Sequence, residues 1–205
     1  MTVLTLLGWS LVAFGCGALP FAVWVGGRRV RAVGDGNPGA ANAWRAGGWR
    51  PGVAVLLLDF FKGALPVAAA HFGAHLAGWP LALVAVLPVA GHAFSPFLGG
   101  RGGKGLTVTF GIWAGLTLAQ APVILGLFMV VTYSVLRADA WAALLAMLGL
   151  GAHLLLAGAA PWLLGVWAAN TLLLAWTHRA SLRAWPTLRP GPARRVARLL
   201  GRAVP

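Results

Sequence analysis

The residues that could do chemistry fall in three short stretches. The first is GDGNPGAANAWR, residues 34–45. Gly34, Gly36 and Gly39 can take positive φ and let backbone N–H groups approach a ligand. Asn37 and Asn42 supply amide donors, and Arg45 can grip a phosphate through two parallel hydrogen bonds. The stretch also opens on a G-x-G-x-x-G pattern. A dinucleotide loop needs a strand before that pattern, a helix after it and an acid downstream for the ribose. Here an apolar run and three arginines precede it, and the downstream acid, Asp59, stands inside another apolar run. The nucleotide reading fails on that context. An anion cradle remains, or a pliable Gly-rich loop that carries arginines; the residues alone leave both open.

The second stretch is GHAFSPFLGGRGGKGLTVTFG, residues 91–111. Glycines including Gly102 and Gly103 surround Arg101 and Lys104, and an apolar segment begins just after. A helix N-terminus there would offer free N–H groups and partial positive charge to an anion. It is not a nucleotide P-loop: Leu98 replaces the first glycine, and Gly105 replaces the magnesium-binding Ser or Thr. The third stretch is DFFKG, in which Asp59 and Lys62 share a helix face. An ion this deep in an apolar run needs a partner or water. The pair either ties helices together or puts Lys62 in a polar cavity beneath the two loops. His92 adjoins the second loop, and His178 closes the last apolar segment; each could donate to phosphate, shuttle a proton or be structural. His71 and His75 fall at the other side, and His153 reads as packed or interfacial. There is no H-x-x-x-x-D acyltransferase spacing, and the three acids are too scattered for a conventional divalent-metal cage. No metal or cofactor is expected.

The elements that must position these residues follow from composition. Hydrophobic residues make up 60% of the 205-residue chain and charged ones 9%, against about 25% charged in soluble domains. Such a chain reads as an all-α integral membrane protein. Hydropathy over about 19 residues gives seven transmembrane helices at 3–25, 52–72, 80–97, 106–121, 122–136, 141–157 and 161–177. The third, fourth and sixth are short. Gln120, Ala121 and Pro122 mark the break between the fourth and fifth. The first run has no basic segment before it, so it reads as a retained helix and not a signal peptide. Cys16 lies within it as a small packing residue. Arginines and lysines crowd alternate connectors, while 73–79, 120–122 and 158–160 hold none. The N-terminus is therefore expected outside and the C-terminus in the cytoplasm. The net charge of +13 marks the inner membrane face, and no nucleic acid is expected. The chain divides into one seven-span domain, 1–178, with cytoplasmic-side Gly-rich loops 26–51 and 95–105, and a basic cytoplasmic tail, 179–205. In the tail Val196, Leu199, Leu200 and Ala203 share a helical face, as an interfacial helix would, or the tail frays.

Read as DGNPGAANAWR, DFFKG and GHAFSPFLGGRGGKG, these motifs and their order resemble the bacterial acyl-phosphate:glycerol-3-phosphate acyltransferases, the PlsY family. The family motifs are similar to SGNPGATNALR, DxxKG and GHxFxxFxxxKGGKG, on seven spans with the N-terminus outside. The resemblance implies transfer of an acyl group from acyl phosphate to the 1-hydroxyl of sn-glycerol 3-phosphate, giving lysophosphatidic acid and phosphate. It implies Lys104, His92 and Lys62 as catalytic residues. Asn37, Gly39, Asn42, Arg45, Gly102, Gly103, Lys104, His178 and Ser181 are implied to bind substrate. It implies glycerol 3-phosphate, acyl phosphate, membrane lipid and an acyl-phosphate-producing enzyme as partners. The setting it implies is a bacterial inner membrane with the site facing the cytoplasm. Among the departures from the family, Asp35 and Ala41 stand where it has Ser and Thr, Leu136 where it has a serine, and Ser181 where it has Asn. Asp35 would oppose a phosphate, act as an internal anion held by Arg45 or Lys104, or cap the next turn. The residues alone also admit an organic-phosphate carrier or a non-catalytic membrane partner.

Overall fold

The computed structural model describes residues 2–189 and 191. Among these the chain is all-α, with nine α-helices: α1 (Val3–Ala18), α2 (Phe21–Gly26), α3 (Ala40–Gly47), α4 (Trp49–Ala68), α5 (Gly78–Ala93), α6 (Leu106–Thr117), α7 (Gln120–Val135), α8 (Asp139–Leu156) and α9 (Pro161–Leu182). Each of the seven expected apolar segments is helical. Four stretches are long and apolar enough to cross a membrane: Val3–Gly26, Trp49–Gly73, Gly78–Leu98 and Asp139–Leu156. The helices α6 and α7 are apolar but shorter, at 12 and 16 residues.

Three details differ from expectation. The first segment is two helices, because Pro20 has no N–H to continue the ladder and the chain breaks at Leu19 and Pro20. The junction between α6 and α7 falls at Leu118 and Ala119, earlier than Pro122. Pro122 instead occupies the first turn of α7, where a missing N–H is harmless. The Gly-rich loop contains an unexpected helix, α3, capped by Gly39 at its start and Gly48 at its end.

Helix pairs α4–α6 and α1–α5 pack most extensively. Between apolar helices in lipid, close approach rests on small residues. A Cβ on Gly63 would lie 2.7 Å from the Val108 carbonyl oxygen, and one on Gly91 would meet the α1 backbone at Phe14 and Ala18. These glycines adjoin Lys62 and His92 in sequence. Each motif thus couples a polar side chain to the contact that fixes its helix. The core behind them is filled by Leu81, Ile112, Trp113, Met147, Leu150 and Leu174, all fully buried. Leu4, Leu11, Val130 and Leu156 face outward, as lipid-facing positions do.

After α9, the chain returns to the α7–α8 connector. Leu188 bridges Leu136, the Arg137 N–H donates to the Thr187 carbonyl at 2.9 Å, and the Arg189 N–H donates to the Val135 carbonyl at 2.7 Å. The amphipathic pattern at 196–203 lies outside the described residues.

Candidate active site

The two Gly-rich loops form one structure. The Lys104 N–H donates to Asn37 Oδ1 at 3.0 Å, and Arg31 Nη2 donates to the Arg101 carbonyl at 2.7 Å. Thr177 Oγ1, from α9, donates to the Lys104 carbonyl at 2.9 Å. Two elements distant in sequence, the first loop and α9, therefore fix the Lys104 backbone, and Arg31 fixes the same loop at Arg101. Asn42, buried on α3, links its own loop: Nδ2 donates to Asp35 Oδ1 at 2.9 Å and to the Asn37 carbonyl at 3.0 Å. Its Oδ1 accepts from Arg45 Nη1 at 2.7 Å.

A cavity of about 170 Å³ opens against this framework. It brings together Asn37, Gly39, Asn42, Arg45, Lys104, His92 and His178. The opening residues of two helices also line it, Gly39 to Ala41 at α3 and Gly105 to Thr107 at α6. First-turn N–H groups have no intrahelical acceptor, so two helix N-termini, a lysine and an arginine converge on one space. A wider opening of about 700 Å³ shares Asp35, Asn37 and Lys104 and adds Arg31, Arg101, Gly102, Gly103, Arg179 and Ser181. On the lipid side, an apolar groove of about 520 Å³ runs along Leu56, Leu57, Phe60, Phe61 and Phe110. It meets the anion cavity at Leu106 and Thr107, which line both.

Several expected residues have other surroundings. Lys62 lines neither large space. Its Nζ sits 2.7 Å from Asp59 Oδ1 and donates to the Leu19 carbonyl at 2.9 Å. That carbonyl is free because Pro20 breaks the helix. Ser95 Oγ uses the neighbouring Ala18 carbonyl at 2.6 Å. Lys62, Asp59, His92 and Gly103 enclose a pocket of about 10 Å³, near the minimum for one water. The N–H groups of Gly102 and Gly103 do not face the cavity as free donors; they donate to the Ala93 and His92 carbonyls at 3.0 and 3.1 Å. These bonds dock the second loop on the end of α5. His178 Nδ1 lies 2.8 Å from the Leu174 carbonyl. A carbonyl only accepts, so Nδ1 carries the proton and neutral His178 keeps Nε2 as an acceptor. Ser181 is exposed at the rim.

Sequence reasoning missed Tyr133 and Asp139, which also line the 170 Å³ cavity. Asp35, Asp59 and Asp139, the only acids in the chain, all border this cavity. Among the described residues no three His, Cys, Asp or Glu side chains come close enough to hold a metal ion. Asp35 is bound to its surroundings on both oxygens. Oδ2 is 2.7 Å from Lys104 Nζ, and Oδ1 accepts from Asn42 and from the Asn37 N–H at 3.2 Å. Partial burial alone would raise its pKa. The Lys104 hydrogen bond, the Asn37 N–H, the Lys104 charge and the Asn42 amide together bring it down to about 2.

A family model described as glycerol-3-phosphate acyltransferase matches residues 7–185. Glycerol-3-phosphate acyltransferase 1 of Thermotoga maritima is 44% identical over 98 residues, covering 47% of this chain and 48% of that protein. The namesake from Deinococcus radiodurans is 44% identical over 117 residues, covering 56% and 58%. The matched stretch spans about half the length of these curated relatives. Among solved structures, the fold is similar to PlsY, an integral membrane glycerol 3-phosphate acyltransferase, in its glycerol 3-phosphate form. The TM-score is 0.81 at 27% identity, covering 87% of this chain and 90% of that one. The lysophosphatidic acid form of the same protein gives 0.77 at 26% identity, with the same coverage.

Proposed function

We propose a reaction for a chain that belongs to the glycerol-3-phosphate acyltransferase family: it moves an acyl group from acyl phosphate to the 1-hydroxyl of sn-glycerol 3-phosphate. The acceptor oxygen bonds to the acyl carbon, the bond from that carbon to the phosphate oxygen breaks, and the hydroxyl proton leaves with the phosphate. The products are lysophosphatidic acid and inorganic phosphate. The observation that carries this reading is the meeting of an anion cavity with an apolar groove at Leu106 and Thr107. A lipid phosphate has that shape: a charged head and a chain that stays in the bilayer.

The roles follow from position. Lys104, Arg45, Asn37 and Asn42 and the N-termini of α3, at Gly39, and α6 hold phosphate oxygens and offset charge as the carbonyl oxygen becomes an oxyanion. The wider, arginine-rich opening suits the water-soluble acceptor, with Ser181 at its rim. Gly102 and Gly103 act by docking the loop that carries Lys104. Lys62 fixes Asp59 and the broken end of α1 and shares the small pocket with His92, which also lines the anion cavity. The Nε2 of His178 can accept from a substrate hydroxyl. In this reading the chain spans a bacterial inner membrane seven times, with the N-terminus outside and the site at the cytoplasmic face. An acyl-phosphate-producing enzyme supplies the donor.

Purified protein in lipid should release phosphate from acyl phosphate only when glycerol 3-phosphate is present. No release across chain lengths and pH overturns the reading. The Asp35–Lys104 pair favours one second reading, a weakened relative that binds lipid phosphates without turnover. Rescue of a strain lacking its own acyltransferase would exclude that.

A further inference from the structure

We propose that Asp35 is a resident competitor for the phosphate seat at Lys104, weakening phosphate there and speeding release of the phosphate product. The identity of that product rests on the acyl-transfer reading above. The competition itself rests on geometry. One carboxylate collects the Lys104 ammonium, the Asn37 N–H and the Asn42 amide. A phosphate entering either cavity meets Lys104 and Asn37 beside Asp35, since all three line both, and one entering the narrower cavity also meets Asn42. Two anions cannot share them without strong repulsion. Binding is therefore an exchange: the carboxylate turns out and the phosphate turns in.

The loop is built to permit that exchange. The Asp35 side chain is 46% exposed, against 3% for Asp59 in the other pair. Its neighbours Gly34 and Gly36 have φ of 57° and 70°, a region that glycine enters freely. A role as general base fits poorly, because three donors already stabilise the ionised carboxylate. A purely structural role is the rival. Asp35 Oδ1 closes a turn onto the Asn37 N–H, and Asn closes such turns equally well. Asp35→Asn therefore keeps the turn and removes the charge, while Asp35→Ser removes both the carboxylate and its reach.

The test uses inorganic phosphate as the probe on the full chain in detergent or lipid. Its dissociation constant is read from the rise in thermal midpoint, and its inhibition constant from acyl transfer. Both variants should bind phosphate about fivefold more tightly than the parent, with Asp35→Glu close to the parent. Unchanged or weaker phosphate binding in both variants, at the parent's thermal midpoint, overturns the proposal. Failure elsewhere is distinguishable. If the parent transfers no acyl group yet both variants tighten phosphate, the acyl-transfer reading falls and the competitor stands. If transfer is present and phosphate affinity does not move, the competitor falls alone.

Discussion

Lys62 and Lys104 each sit 2.7 Å from an aspartate, yet the two pairs occupy different surroundings. The Lys62–Asp59 pair is 3% exposed on both sides and lies between α4 and the broken end of α1. The Lys104–Asp35 pair is 26% and 46% exposed and lies where two loops meet two cavities. A buried pair cannot exchange its partner for water or ligand, so each charge is committed to the other. An exposed pair is worth little to the fold and is open to replacement. Equal distances therefore describe a fastener in one region and a changeable contact in the other.

The largest expected effect breaks the fastener. Lys62→Ala leaves the Asp59 charge buried and alone, which should destabilise by about 3–5 kcal/mol. Thermal unfolding in detergent reads that loss. Adding Asp59→Ala to Lys62→Ala should recover part of it, because the orphaned charge goes too. A double variant as unstable as the sum of the singles would deny the coupling.

Next in size is Lys104→Ala. It should lower kcat/KM by about 10²–10³-fold with little change in thermal midpoint. If the midpoint falls as far as for Lys62→Ala, the two pairs are alike and the contrast collapses. Arg45→Lys is smaller. Lysine keeps the charge but loses the fork that reaches Asn42 and a phosphate together. The acyl-phosphate KM should rise about tenfold with kcat nearly unchanged.

The contrast was only half legible in the sequence. Asn37, Arg45, Lys104 and His92 could be found because loop glycines, amides and cations stand close together along the chain. The surroundings of Lys62 could not, because its carbonyl partner, Leu19, is 43 residues away. Hydropathy averaged over about 19 residues does not register one proline, so the break at Pro20 disappeared into a single apolar run. Helix α3 was hidden for a related reason: eight residues in a Gly-rich setting give too little periodicity to distinguish a helix from a loop. That Asp35, Asp59 and Asp139 border one cavity was hidden because only the packing of α4 and the turn into α8 brings them there. Gly102 and Gly103 looked like phosphate donors because composition does not say where an N–H points.

The smallest expected effect concerns the exposed pair and pH. The folded Asp35 carboxyl sits at about 2, below its ordinary 3.8. A depressed carboxyl stabilises the folded state above the ordinary value, and the stabilisation is lost as pH falls through the folded value. Asp35→Asn should thus lower stability slightly and evenly between about pH 5 and pH 8, by no more than the about 0–1 kcal/mol of an exposed pair. The gap to the parent should close as pH falls from about 4 toward 2, and added salt should shrink it at every pH. Thermal midpoints of parent and variant across that range measure it. A gap that closes near neutral pH would point to a different titrating group, and a gap of several kcal/mol would make Asp35 a second fastener that phosphate could not displace.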